Sequence, residues 1–189
     1  MSEICFTDTE TGGLTTDTSL LTAAFLSPET GNMLELFLLH DIYHVSAPAI
    51  AVNHWNVAGH EDKKNKEDFQ HVVTPQTGLS KLKKFVKDNF KEKPILGAWN
   101  PIHDRNFLLD GLFAGNKALI DETFDYHSCD VASIAFACKE AGLLNVEKVR
   151  LGVVAEYFGI SSEYPAHTAI GDTIVLYGVY EELLNSMML

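Results

Sequence analysis

Two apolar, β-prone runs, residues 20–26 and 33–39, flank the turn-rich cluster Ser27-Pro28-Glu29-Thr30-Gly31-Asn32. Such runs around a Pro/Gly/Asn turn read as an antiparallel hairpin, and a hairpin commits the chain to a sheet whose faces must be covered. Ile4-Cys5-Phe6-Thr7 precedes it as a short strand, and Pro94-Ile95-Leu96-Gly97-Ala98 is another, buried one. Residues 40–78, with Pro48, Pro75, several histidines and a charged stretch, are expected to form loops with short helices. From Leu79 the pattern turns helical: Leu79, Leu82, Phe85, Val86 and Phe90 share one face, and Lys84, Lys87 and Lys91 another. Further helices are expected near 104–114, 130–141, 148–158 and 168–185, with Gly142 and Gly159 as C-terminal stops. Strands first and helices second, with one strand embedded between helices, predict an α/β fold with a mixed central sheet flanked by α-helices.

The 189 residues, 46% hydrophobic and 21% charged, fit one compact domain over 1–189. No apolar run is long enough to span a bilayer, and Met1-Ser2-Glu3-Ile4 lacks the basic start of a secretory signal. A cytoplasmic protein without a membrane partner is therefore expected. Cys5, Cys129 and Cys138 are too few and too scattered for a disulfide framework or a structural zinc site, and read as small buried thiols.

A net charge of −12 argues against a polyanionic partner, because affinity for phosphates comes mainly from Lys and Arg. The distribution tempers that objection. Nine of twelve lysines fall between Lys63 and Lys93, which with six acids gives residues 60–93 a balance of about +3 and leaves about −15 elsewhere. A solvated helix face is the plainest reading of that run.

Asp8 and Glu10 close the first strand. Side chains two apart on a strand share a face, so both carboxylates can converge at the sheet edge, where a hard cation such as Mg²⁺ or Mn²⁺ relieves their repulsion. Alone, an Asp-x-Glu pair is common in acidic turns. Asp104 follows the strand near residue 98 within Asn100-Pro101-Ile102-His103-Asp104, and Asp172 lies five residues after His167, near the start of the last helix. Each of these acids could instead be a helix-start residue favoured by the dipole.

Together they form three ordered motifs over nearly the whole chain. Phe6-Thr7-Asp8-Thr9-Glu10-Thr11-Gly12-Gly13-Leu14, the stretch Asn100 to Asp104 followed by Asn106-Phe107-Leu108, and His167 with Asp172 closely resemble the DEDDh family of 3′-to-5′ exonucleases. That family includes proofreading subunits and ribonuclease T-like trimmers and has a ribonuclease H-like fold. One departure is His103, which stands where the family usually carries an aromatic residue.

The resemblance implies an enzyme that hydrolyses phosphodiester bonds at the 3′ end of DNA or RNA and releases nucleoside 5′-monophosphates. It implies two divalent ions, Mg²⁺ or Mn²⁺. Asp8 would bridge them, Glu10 and Asp172 would hold the one that binds the attacking water, Asp104 would support the other, and His167 would be the general base. Thr11, Gly12, Gly13 and Leu14 would hold the terminal nucleotide: the glycines allow main-chain N–H groups to reach the 3′-hydroxyl, and Leu14 is an apolar wedge between the last two bases, with a core leucine as the alternative. Asn100 and Phe107 match substrate-proximal positions, or else organise the second loop and pack the helix behind it. Trp55, beside His54, is either a base-stacking platform or a core residue. The histidines at 40, 44, 60, 71, 103 and 127 have no metal-site spacing.

The expected partner is a single-stranded or frayed 3′ end. An oligoribonuclease-like or ribonuclease T-like trimmer of short RNA and a catalytically silent nucleic-acid-binding module of the same fold are the alternatives. Seventeen residues follow Asp172, enough to finish one helix, so polymerase association is not indicated and a freestanding enzyme is expected. A homodimer rests on family analogy alone.

Overall fold

β1 (Ile4–Thr11), β2 (Leu20–Leu26) and β3 (Met33–Leu38) form an antiparallel meander in which Phe6 faces Leu26 and Ala24 faces Glu35. The structure, a computed structural model, describes residues 3–52 and 68–188. His54, Trp55, His60 and Lys63, Lys64 and Lys66 lie outside the described residues. The hairpin turn closes as expected, with the Ser27 N–H donating to the Asn32 carbonyl at 3.0 Å. Three short strands extend the meander: β4 (Gln70–Val73) parallel to β3, β5 (Ile95–Ala98) parallel to β1, and β6 (Ser128–Asp130) parallel to β5. The order is β4-β3-β2-β1-β5-β6. Every strand except β2 therefore runs the same way, and five C-terminal ends share one edge of the sheet.

Alternation along β1 sorts its side chains between two layers. Cys5 joins a core with Phe25 and Leu36 of the sheet, Leu82 and Phe85 of α2 (Pro75–Asn89), and Phe107 and Leu108 of α3 (Pro101–Gly111). Phe6 joins the opposite core, with Val131 and Ala135 of α5 (Val131–Glu140), Val154 of α6 (Leu151–Phe158) and Leu176 and Val179 of α7 (Ala169–Met187). All seven residues of β2 are buried. A central strand covered on both faces has no polar side to show, which is why Leu-Leu-Thr-Ala-Ala-Phe-Leu does not alternate. Burial of each large side chain here stabilises the fold by about 1.5–3 kcal/mol. Two short helices, α1 (Ala47–Val52) and α4 (Lys117–Thr123), complete the described elements.

The mixed sheet flanked by helices meets the sequence expectation, while several boundaries move. α2 starts at Pro75 rather than Leu79, because Thr74 caps it by accepting the Thr77 N–H and Pro75 supplies the fixed first-turn φ. It ends at Asn89, so Phe90 is an extended cap residue rather than a member of the helix face. α3 likewise starts at Pro101, ahead of residue 104, and α6 starts at 151 instead of 148. β4 places a strand within the 40–78 stretch expected to form loops with short helices, because its four residues pair with β3, and β6 and α4 are further elements that the sequence does not signal. Gly142 and Gly159 both take positive φ just past their helices, as expected of stops. No described helix is long and apolar enough to cross a membrane.

Candidate active site

The alternation that sends Phe6 into the α7 layer sends Asp8 and Glu10 the same way, two and four residues further along β1. There they meet the first turn of α7. Thr168 caps that helix, accepting the Gly171 N–H at 3.2 Å and donating to the Pro165 carbonyl at 2.7 Å. The turn is tight enough that a Cβ on Gly171 would fall 2.6 Å from the Pro165 carbonyl oxygen, so glycine at 171 lets the 164–168 loop fold onto the helix start. This brings His167 beside Asp172, whose carboxylate accepts the His167 backbone N–H. One carboxylate oxygen each from Asp8, Glu10 and Asp172 lies within 4.8 Å of the others, and all three residues are half-buried. His167 is exposed and holds a left-handed φ of 60°, sparsely populated for a non-glycine residue and typical of functional loops.

Asp104 arrives from the other layer. Thr9 points away from its two acidic neighbours, toward α3, and its hydroxyl donates to Asp104 Oδ1 at 2.7 Å. Asp104 is 5% exposed, and burial pushes its carboxyl up to about 7 against the opposing pull of Thr9. It stands outside the group of three oxygens but acts on it. Asp8 is raised well above the ordinary carboxylate range by burial first, then by the charges of Asp104, Glu10 and Asp172. Burial also raises Asp172, opposed by His167. At such separations each like-charge pair costs on the order of 3 kcal/mol at an effective dielectric near 20. Four ionised carboxylates are thus sustained only with a counter-cation, and an all-oxygen donor set suits a hard divalent ion of the Mg²⁺ or Mn²⁺ class. The residues present fit such an ion.

The loop after β1 is held from the side. Gly12 donates to the Ser19 carbonyl at 2.7 Å and accepts from the Ser46 N–H at 2.7 Å, while Ser19 donates to the His44 carbonyl at 2.8 Å. A Cβ on Gly12 would sit 2.3 Å from the His44 carbonyl oxygen, so close packing against residues 44–46 is what requires glycine. Because the Gly12 N–H is spent on Ser19, it is not among the donors open to a substrate hydroxyl. Thr11 donates to the Gly13 carbonyl at 2.6 Å and tightens the turn. At its tip Leu14 is 91% exposed, which removes the core-leucine alternative.

Asn100 caps α3 without a side-chain hydrogen bond and is exposed. Phe107, by contrast, is 2% exposed, packs against His103 with ring centroids 4.8 Å apart, and only borders a cavity of about 200 Å³ that Ser19, His40, His44 and Asp110 also line. It supports the α3 turn from behind. Burial lowers the His103 imidazole below its ordinary pKa, so the ring at the departed position is a neutral, half-buried packing partner at neutral pH. Sequence reasoning missed Thr9 and the 44–46 segment. The alternation that pairs Asp8 with Glu10 already directs Thr9 to the opposite layer, whereas the role of 44–46 is carried by backbone atoms and leaves no residue-type signal.

No family model matches the sequence, and no curated protein matches it. Among solved structures, the zinc-bound Escherichia coli exonuclease I complex with single-stranded DNA superposes with a TM-score of 0.75 at 16% identity, over 99% of this chain and 41% of that one. The nuclease domain of 3′hExo, a DEDDh family member bound to rAMP, gives 0.69 at 14% identity over 97% and 92%. Cell-death related nuclease 4 gives 0.67 at 10% identity over 98% and 64%. The chain thus has the ribonuclease H-like fold of DEDDh exonucleases, and it spans less than half the length of exonuclease I.

Proposed function

We propose that residues 1–189 form a single exonuclease domain that removes nucleoside 5′-monophosphates from the 3′ end of single-stranded or frayed DNA or RNA. The observation that carries this reading is the meeting of Asp8, Glu10 and Asp172, with the charge of Asp104 acting on Asp8, at one end of a sheet shared with solved exonucleases. Asp8, Glu10 and Asp172 would hold one divalent ion, and Asp8 with Asp104 a second. When bound, such ions supply Lewis-acid stabilisation of a departing 3′-oxygen and make an attacking water more acidic. His167, next to Asp172 and open to solvent, takes the proton of that water. Leu14, projecting from a loop braced by residues 44–46, separates the terminal base from its neighbour, and Gly13 and the exposed Asn100 face the same nucleotide. The free thiols of Cys5, Cys129 and Cys138 suit a reducing, cytoplasmic setting.

A degradation panel tests the reading. With Mg²⁺ or Mn²⁺, 5′-labelled single strands of DNA and RNA should shorten stepwise from the 3′ end, and a 3′-phosphate should slow them strongly. Internal cuts in circular single strands, or equal rates on blocked and free ends, would refute it. A preference for RNA of a few nucleotides would assign the trimmer role, and inactivity with every divalent ion would leave a silent binding module.

A further inference from the structure

α2 begins where β4 ends, at the same edge of the sheet as the acids, and runs back toward the opposite edge over 15 residues, about 22 Å. Its exposed face carries Lys83, Lys84 and Lys87, and the chain beyond it carries Lys91 and Lys93. A groove of about 530 Å³ opens there, rimmed by Lys83, Lys87, Lys91 and Lys93 and floored by Val86 and the half-buried ring of Phe90. Glu92 and Glu122 also border it, so the rim holds four cations against two acids. Lys84 pairs with Asp88, Lys91 with Glu29 at 3.2 Å, and Lys93 donates to the Asp121 carbonyl at 3.0 Å. Among the described residues Lys83 and Lys87 form no ion pair. They stand four apart on one helix, where like charges repel, so the helix carries a standing electrostatic cost at this point.

Resting on the exonuclease reading above, we infer that this lysine-rimmed groove holds the phosphates of a single-stranded polynucleotide several nucleotides 5′ of the end seated among the acids, with the strand running along α2. Charge complementarity selects the occupant. A chain of net charge −12 repels polyanions at long range, so a strand needs a local cationic contact to stay aligned once its end is engaged. An aromatic floor beneath a cationic rim also gives an unpaired base a face to rest on. A second copy of the chain is the weaker occupant: its acidic surface meeting this groove would make a heterologous contact that propagates unless it closes into a ring. At about 3.4 Å per stacked nucleotide, Lys83 and Lys87, about 12 and 18 Å past the start of α2, lie roughly four and five nucleotides along the helix, so a strand of two or three nucleotides stops short of the groove.

The test uses the full chain and Lys83→Gln/Lys87→Gln, with 3′-phosphate strands of about 24 and about three nucleotides, followed by fluorescence anisotropy across a salt series. The expected result is weaker binding of the long strand, with the slope of log affinity against log salt reduced by about 1.4, near 0.7 for each lost phosphate contact, and no change for the short strand. Hydrolysis of the short unblocked strand should keep its normal rate. Unchanged long-strand affinity and slope overturn the inference while leaving the exonuclease reading standing. Loss of long-strand affinity in a protein that degrades no strand would instead sustain the groove and remove the exonuclease reading. If the variant alters sedimentation but not oligonucleotide binding, the groove belongs to a second copy and the inference fails.

Discussion

At the C-terminal ends of β1 and β5, Asp8, Asp104 and Asp172 sit above the ordinary carboxylate range, raised by burial in each case and, for Asp8, by its neighbours' charges as well. At the opposite ends of the same strands, Glu3 and Asp125 sit below it. Burial pulls Glu3 upward but is outweighed by the backbone N–H groups of Lys91 and Glu92, which donate to Oε2 at 2.8 and 3.2 Å. Asp125 is lowered by the backbone N–H of His127, and then by its ring nitrogen. One residue class, at two ends of one sheet, is thus treated in opposite ways. Where the chain supplies its own donors, a carboxylate ties loops together; where it crowds carboxylates and supplies few, the missing positive charge must come from outside.

The strongest way to break this contrast is Asp8→Ala. Hydrolysis should vanish, whereas the cation-free protein should hold or gain stability, with Tm rising about 2–4 °C for each kcal/mol of repulsion relieved. The sign follows from linkage. Between the unfolded aspartate value of ~3.9 and the raised folded values, reaching about 7 at Asp104, the native state binds more protons than the unfolded one. Stability without divalent ions should therefore fall as pH climbs from about 4 to 7, and Asp8→Ala should shallow that decline. Mn²⁺ should reverse it, because cation binding competes with protons. Denaturation curves that are flat over this window in chelator would remove the electrostatic account.

Next in size is His167→Ala. A general base contributes about 10²- to 10⁴-fold, so turnover should drop by that factor while calorimetric Mn²⁺ binding persists, and the rising limb of the rate–pH profile should flatten. A variant with near-normal rate and the same limb would demote His167 to a loop residue. Thr9→Val tests the bridge between the two layers. Removing the hydroxyl leaves buried Asp104 with fewer donors, which should cost about 1.5–3 kcal/mol in urea denaturation above pH 7 and move the rate profile toward alkaline pH. Glu3→Gln should do least. Its carboxylate is lowered on folding, so its contribution is present above the unfolded value and lost as pH falls through the folded one; Tm should dip slightly at neutral pH, the gap should close in acid, and turnover should not change. A loss of turnover there would mean that the two ends of the sheet are coupled.

What the sequence made legible was whatever a residue type and a period could encode together. Asp8 and Glu10 converge because a strand repeats every two residues, and Asp172 falls in the first turns of the helical stretch expected from residue 168. Thr74 and Pro75 carried the α2 start in plain sight, but the apolar period only becomes regular at Leu79 and drew the boundary with it. β4 and β6 had little to offer, four and three residues whose pairing is dictated by β3 and β5. The bracing of the Gly12 loop by the backbone of Ser19, His44 and Ser46 was invisible for a different reason: carbonyls and amides are common to every residue.

Gathering one site from residues 8, 104 and 172 also bears on how the chain is held together. Asp8 lies in β1 and Asp172 in α7, so the acid cluster exists only when α7 is docked against β1. A cation gripped by both would tie together two elements about 160 residues apart, and because it leaves when they separate it would act on the native state alone, by mass action. At a free concentration one hundred times its dissociation constant, an ion that binds only the native state adds about 2.7 kcal/mol. Cation supply would then set the lifetime of the folded chain as well as its chemistry, and fraying of α7 would disarm the site before the rest of the molecule came apart.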